Sequence, residues 1–336
     1  MADLAATEQS APTAPAGSEK LEPQLEQHRA ELTAYSYRML GSAFEAEDAV
    51  QETLVRAWRG FDRFEGRAAV RSWLYRIATN VCLDMLKGRE RRARPMDLAS
   101  PQSADTPLPD ALPAERWLQP IPDGRVLPAE SDPAELAVER ETIRLAFVAA
   151  LQHLPPKQRA VLILREVLQW QATEVAELLD TTVQSVNSAL QRARAALASS
   201  EVTTTDEIEP EDDDQRALLA RYVDAFERYD MDSLVSLLHQ DATWSMPPYD
   251  LWLKTHLDIR KWCLGQGIGC MGSRLIPTVA NGSPAFGQYK PAGDGGLEPW
   301  SLQVLEISDG RIAGISFFLD TASLFPLFGL PARLES

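Results

Sequence analysis

WQATEVAELLDTTVQSVNSALQRARAAL, residues 170–197, carries two apolar faces with a break between them. Val175, Leu178 and Leu179 make a short first face. Val186, Leu190, Ala193 and Leu197 repeat at steps of four, three and four, the spacing of one side of an α-helix. DTT, residues 180–182, interrupts both faces, and the Thr182 hydroxyl is placed to cap the second helix. Two short helices joined by a tight turn predict a helix-turn-helix. The outward face of its second helix offers Gln184, Ser185, Asn187, Ser188, Gln191, Arg192 and Arg194. Asn, Gln and Arg can read base edges in the major groove, while Ser, Thr and Arg can hold phosphates. No acidic residue occurs from 181 to 200. An ordinary polar helix surface would look similar, but cap, break, the small Ala176 and an acid-free helix together favour DNA.

Working outward, LPPKQRAVLILREVL (154–168) predicts the preceding helix, with Pro156 tolerated in its first turn, and a further helix is expected over 135–153. Upstream lies a second helical module. EAEDAVQETLVRAW places Ala49, Val50, Leu54 and Trp58 at helical spacing. In RSWLYRIATNVCLDMLKGRERR (71–92), Leu74, Ile77, Val81 and Met85 continue a stripe begun by Val70. A second face carries Trp73, Arg76, Asn80, Asp84 and Lys87, with Arg71, Tyr75 and Thr79 beside it. Basic side chains attract phosphates, and aromatic faces stack on unpaired bases, which suits single-stranded DNA. Residue chemistry alone leaves this even with a plain core role for Trp73 and Tyr75.

Charge is distributed unevenly. The whole chain carries −16 over 336 residues, yet residues 56–95 hold eleven basic against four acidic side chains. Residues 201–214 hold eight acidic side chains and no basic one. Such local asymmetry matters more than the total for a nucleic-acid partner. Between 96 and 134 there are eight prolines, so this segment is expected to be a linker rather than a helix. Within it, RWLQPIP contains Trp117, Leu118 and Ile121, too apolar to leave in water and expected to dock on a folded neighbour. The expected organisation is a disordered lead-in (1–20), a first helical module (21–95), the Pro-rich linker (96–134), a second helical module (135–198), an acidic linker (199–214) and a third module (215–336).

The third module reads as α+β. Leu218, Tyr222 and Phe226 line an amphipathic helix; alternating strands such as SLQVLEIS and IAGISFFL flank Asp309-Gly310, a hairpin signal. Helices on a curved antiparallel sheet are expected. Trp244, Trp252, His256, Asp258, Trp262, Trp300 and Asp320 could line a pocket, but they form no nucleophile–base–orienter set. The three cysteines, Cys82, Cys263 and Cys270, suit neither a disulfide framework nor a zinc site, and point to a reducing cytoplasm. No cofactor, metal, membrane span or secretory signal is expected.

EAEDAVQETLVRAW followed by RFEGRAAVRSWLYRIATNVCLDMLKGRERR resembles region 2 of the extracytoplasmic-function (ECF) group of sigma-70 factors. LPPKQRAVLILREVLQWQATEVAELLDTTVQSVNSALQRARAAL resembles their region 4. The resemblance covers roughly residues 21–198. It implies that Asp48, Gln51 and Glu52 dock on the β′ clamp of RNA polymerase, and that region 4 meets the β flap. It implies that residues 64–87, with Arg71, Trp73, Tyr75, Arg76, Thr79 and Asn80, open and read the −10 element, and that Thr182 to Arg194 read the −35 element. RYVDAFERYDMDSLVSLLHQDATWSMPP and NGSPAFGQY resemble a SnoaL-like domain, a cone-shaped α+β fold. In extended sigma factors such a tail acts with the linker as a built-in regulator, and it implies room for a small-molecule ligand. Two rivals remain: a stand-alone helix-turn-helix regulator with a sensing tail, and a SnoaL-class enzyme fused to DNA-binding modules.

Overall fold

The computed structural model describes residue 23 and residues 25–64, 69–127, 132–198, 213–293 and 295–335. The expected lead-in (1–20) and most of the acidic linker lie outside them. Among the described residues no helix is long and apolar enough to cross a membrane.

Three helices open the chain: α1 (Arg29–Leu40), α2 (Ala43–Gly60) and α3 (Val70–Met85). Gly41 turns between α1 and α2 at φ +71°, and Ser42 caps α2 by accepting from the Glu45 amide. The buried face of α2 is built from Ala43, Ala46, Ala49, Val50, Thr53 and Ala57. These small side chains let α2 lie close to α1. Trp58, expected on this face, instead points outward with Val55. The buried face of α3 is also broader than the expected stripe. It takes in Leu74, Tyr75, Ala78, Thr79, Val81 and Cys82, while Val70, Ile77 and Met85 are only half-buried. The cause is packing on two sides at once, by α1 and by the second helical module.

That module comprises α4 (Pro133–Ile143), α5 (Leu145–Gln152), α6 (Pro156–Leu162), a π turn (Ile163–Val167), α7 (Ala172–Leu178) and α8 (Val183–Ala198). The helix expected over 135–153 is broken at Arg144, which is extended at ψ 143°. The two helical modules share one apolar core running from Leu32 and Leu74 through Leu151 and Leu164 to Val186 and Leu190. Two buried arginines stitch them. Arg159 donates to Gln152 Oε1 (2.7 Å), to the Gln152 and Leu154 carbonyls, and to the Met39 carbonyl across the seam. Arg38 donates to Thr142 Oγ1 at 2.6 Å. Burial pulls both guanidinium pKa values down, to about 10.

The tail follows as α9 (Asp213–Glu227), α10 (Met231–Ser236), β1 (Leu238–Ser245), β2 (Trp252–Lys254), α11 (His256–Leu264), β3 (Arg274–Ala280), β4 (Ser283–Pro291), β5 (Leu297–Ser308), β6 (Arg311–Phe318) and α12 (Thr321–Leu327). The sheet order is β2-β1-β6-β5-β4-β3. It is antiparallel except that β1 runs parallel to β6, a departure from the wholly antiparallel expectation. Asp309 and Gly310 turn the β5–β6 hairpin with φ of +51° and +66°, the backbone that a two-residue hairpin needs. Leu218, Tyr222 and Phe226 of α9 share one apolar core with Trp244, Phe286, Leu305, Ile315 and Phe317 of this sheet.

The Pro-rich segment does not hang free. Its first half crosses the tail, where the Trp252 indole donates to the Ala99 carbonyl (2.8 Å) and Gln266 donates to the Ala104 and Thr106 carbonyls. Its second half runs back to α1. Short 3-10 turns at Pro95–Asp97, Ala114–Arg116 and Asp123–Arg125 satisfy some of the backbone that proline leaves without a helix.

Candidate nucleic-acid interface

α8 presents the expected polar face. Thr182 Oγ1 accepts from the Ser185 amide at 3.1 Å, which caps the helix and fixes its first turn. Val186, Leu190 and Ala193 face the core. Gln184, Ser185, Asn187, Gln191, Arg192 and Arg194 are exposed and Ser188 is half-buried. Arg194 is paired with Glu166 at 2.6 Å, so Arg192 is the arginine of this face with no ion pair shown.

The α3 face is arranged differently. Arg71, Arg76 and Asn80 are exposed, and Trp73 is half-buried against Phe61 and Phe64 at 6.4 and 4.9 Å between ring centroids. Tyr75 and Thr79 are fully buried, contrary to a reading that gives them to DNA. Thr79 is hydrogen-bonded to Tyr35 at 2.7 Å, and the Tyr75 hydroxyl donates to Glu31 at 3.2 Å. In this arrangement neither presents a surface to a strand. The second module covers part of the face as well. The Trp170 ring meets Tyr75 edge-on at 5.1 Å, the Arg71 guanidinium lies 5.7 Å from the Trp170 ring, and Arg76 donates to the Glu177 carbonyl at 2.7 Å. That carbonyl lies at the end of α7, where a cation also meets the negative end of the helix dipole. Residues 65–68, part of the stretch expected to open DNA, lie outside the described residues.

A third feature is the seam around the Pro-rich segment. Trp117, Leu118 and Ile121 are all buried. The Trp117 carbonyl accepts from Arg92 (2.7 Å), and Leu118 packs where a side chain on Gly41 would lie only 2.8 Å away. Ile121 joins a core shared by Tyr37 of α1, Val148 of α5 and Val304 of β5. Its centre is the Asn281-Gly282 turn between β3 and β4. Asn281, itself at φ +58°, is fully buried. It accepts from the Ile121 amide at 2.9 Å and donates to the Tyr37 hydroxyl and the Ile143 carbonyl, both at 2.7 Å. Its own amide donates back to the Ile121 carbonyl at 3.0 Å. The Gly282 amide donates to the Asp123 carboxylate (2.8 Å), whose pKa burial raises despite that bond. A Cβ on Gly282 would stand 2.9 Å from the Arg140 carbonyl, so only glycine fits at this approach. One two-residue turn thus ties α1, the Pro-rich segment, α4 and the tail together.

Comparison with known proteins names these parts. Residues 25–92 match the Sigma-70 region 2 family and residues 144–197 match Sigma-70, region 4. The ECF RNA polymerase sigma factor SigG of Mycobacterium tuberculosis (strain ATCC 25618 / H37Rv) is 48% identical over 318 residues, 92% of this chain and 83% of SigG. This chain is an ECF sigma factor. The probable ECF sigma factor SigI of the same organism is 26% identical over 89% of this chain and 93% of its own length. The crystal structure of the M. tuberculosis ECF sigma factor SigJ shares the fold, with a TM-score of 0.57, 23% identity and coverage of 94% and 99% of the two chains. Sigma factors bind core RNA polymerase and promoter DNA, and they direct initiation rather than catalyse a reaction of their own.

In this sigma factor Asp48, Gln51 and Glu52 form a patch on the outer side of α2, with Glu52 paired to Arg56 at 2.6 Å. Val55 and Trp58, 40% and 38% exposed, extend the patch by one turn and two. Sequence reasoning missed them, and missed Arg38, Arg159 and Asn281 too. The tail's acid–base candidates do not converge. Asp258 and Asp320 sit at the N-terminal ends of α11 and α12, bonded within their own turns, and Trp252 holds the Pro-rich segment. Trp244, Trp262 and Trp300 do meet around one cavity. Burial pushes the Cys82 and Cys263 thiols up to about 12, while Cys270 is partly exposed and also raised. A thiol reagent at pH 8 should therefore label Cys270 first, and Cys82 and Cys263 only as the domains open. Simultaneous labelling of all three would show that the native core opens freely.

Proposed function

We propose that this ECF sigma factor uses α2 to dock on the polymerase clamp, α3 to open the −10 element and α8 to read the −35 element, with tail and Pro-rich segment holding these modules in a closed arrangement. The acidic and apolar patch of Asp48, Gln51, Glu52, Val55 and Trp58 supports the first assignment. The β flap is assigned to region 4. Asn80, with Trp73 beside it, is assigned to the −10 strand, and the exposed Arg71 and Arg76 join it once they part from Glu31 and from the Glu177 carbonyl. Tyr75 and Thr79 become available only if the core around them rearranges, so they are assigned to holding α3. The module boundaries follow as 21–95, 135–198 and 215–336, with the segment 96–134 assigned as part of the regulator.

The observation that carries this reading is the seam at Trp117, Ile121 and Asn281, which bonds both DNA-reading modules to the tail. Two promoter elements must be reached together, so whatever sets the angle between modules sets activity. In-vitro transcription with core polymerase tests it on the full chain, on a chain lacking residues 201–336 and on Trp117→Ala. Both variants should move transcription in the same direction. We assign inhibition to the intact tail, because the eight acidic residues of 201–214 compete with promoter DNA for basic faces. Unchanged transcription in both would leave the tail without a regulatory role.

Two further outcomes are expected at the DNA. Trp73→Ala with Arg76→Ala should leave polymerase binding no weaker than in the parent, since Arg76 also helps hold α3 to region 4, but slow strand opening, read as fewer permanganate-reactive thymines per bound polymerase. Equal reactivity would assign both residues to the fold. At the −35 element, Gln184→Ala should remove a hydrogen bond to a base edge, cost about 1–3 kcal/mol and relax preference at one position. Arg192→Ala should remove a phosphate partner and weaken all sequences alike. A promoter library transcribed with each variant separates the two, and no change in either would remove α8 from recognition.

A further inference from the structure

Two arginines of the α3 face are engaged by different partners. Arg76 donates to the Glu177 carbonyl at 2.7 Å and to the Leu178 carbonyl at 3.4 Å, both in region 4. Arg71 donates through Nε to Glu31 Oε2 at 2.7 Å. Glu31 stands in the first turn of α1, so this ion pair lies wholly within region 2. Parting the two helical modules takes the Glu177 carbonyl away from Arg76 but leaves Glu31 beside Arg71. Opening releases the first contact, while the second stays with the module that meets the −10 element.

The Glu31 carboxylate is fixed in its place. Its side chain is 28% exposed, against 44% for Arg71. The Tyr75 hydroxyl donates to the same Oε2 at 3.2 Å, and His28 Nδ1 lies against Oε1 at 2.5 Å. Tyr75 is fully buried, and the Arg71 guanidinium lies 5.3 Å from the centre of its ring. A carboxylate and a phosphodiester offer a guanidinium the same thing, an anionic oxygen that accepts its N–H groups. A strand phosphate that reaches Arg71 must therefore displace Glu31. While the pair holds, its net charge is zero, and an approaching phosphate meets a carboxylate as well as a guanidinium.

We propose that Glu31 is a positioning residue that occupies Arg71 in place of a phosphate of the −10 strand, and so holds capture of the unpaired strand below what the α3 face could give. This rests on the assignment of α3 to the −10 strand. A half-exposed ion pair is a weak competitor, so Glu31 grades capture rather than blocking it. Phosphate contacts carry no sequence information. Withholding one leaves capture more dependent on the base contacts assigned to Trp73 and Asn80. The effect is one of charge, so it shows in the salt dependence of binding.

Binding is measured with holoenzyme, core polymerase plus the full chain. The probe is a promoter that the parent transcribes, with its −10 region mismatched so that the strands are already apart. Glu31→Gln removes the charge and keeps an oxygen for the Tyr75 hydroxyl. It should tighten binding about threefold to fivefold and steepen the fall of log K with log salt by ~0.7, the value of one more neutralised phosphate on a single strand. In an Arg71→Ala background the same substitution should leave the slope unchanged. A neutral methylphosphonate, placed in turn at each linkage of the −10 strand, should cancel the gain only at the linkage that Arg71 reaches. Trp73→Ala removes a stacking face from the same strand and reads the underlying assignment; it should weaken binding about tenfold. If Trp73→Ala weakens binding while Glu31→Gln leaves affinity and slope as in the parent, the proposal falls and the assignment stands. Weaker binding by Glu31→Gln would show that Glu31 presents Arg71 to the strand instead of withholding it. Equal gains with and without Arg71 would show that the charge acts on the DNA directly. Either result overturns the proposal. No loss in Trp73→Ala would remove α3 from the strand and the proposal with it.

Discussion

Asn281→Ala should speed hydrogen exchange at the backbone amides of residues 119 and 281 by about a hundredfold, equivalent to roughly 3 kcal/mol of lost seam stability. The substitution removes three side-chain hydrogen bonds and strands the Ile121 amide and the Ile143 carbonyl in a fully buried place. Each such buried orphan costs about 1–3 kcal/mol. Alanine also tolerates the left-handed backbone less well than asparagine does. The amides of 119 and 281 donate to the Gly41 and Ile121 carbonyls, across the seam itself, so they report its opening rather than unfolding of any one module. The amides inside α8 should be unaffected. Unchanged exchange at 119 and 281 would show that the seam is held by its apolar contacts alone.

Trp170→Ala should have the second large effect. Its ring is 7% exposed and fills the joint between α3 and region 4, against Tyr75 and under Arg71. Removing a buried tryptophan costs about 3–5 kcal/mol through reduced burial and the cavity left behind. Here much of that cost falls on the closed arrangement, because the ring bridges two modules. A polymerase that engages an opened sigma factor binds with an affinity reduced by the fraction open. Weakening the closure should then raise the apparent affinity for core polymerase, by up to about a hundredfold if 3 kcal/mol falls on the closure. Competition binding to core polymerase measures this. Exchange at the α8 amides in the same variant verifies that region 4 stays folded. Affinity equal to the parent, with α8 intact, would show that polymerase does not need to part these modules.

The helix-turn-helix was legible because its signal is local. Val186, Leu190, Ala193 and Leu197 keep helical spacing, and Thr182 stands three residues before the amide it caps. The Asp309-Gly310 hairpin was legible for the same reason. Faces set by distant partners were not. Nothing within α3 distinguishes Tyr75 from Trp73. Trp170 and Glu31, far away in the chain, bury the first and leave the second at the edge. Trp58 falls in register with Val50 and Leu54, yet the partner surface of α1 does not extend far enough to cover it. The Pro-rich segment showed that it must dock, through Trp117 and Ile121, but not that it would lie between α1 and the tail. Asn281 reads as a plain turn residue until its three partners are seen.

The bond from Asn281 to Tyr37 joins residues 244 positions apart. On the ribosome, region 2 and region 4 emerge before the turn that clasps them. At synthesis rates of about 5–20 residues per second, the span from the end of region 4 to residue 281 takes on the order of ten seconds. For that interval a newborn chain owns both promoter-reading modules and no clasp. Every copy of this sigma factor therefore passes once through an unclasped youth.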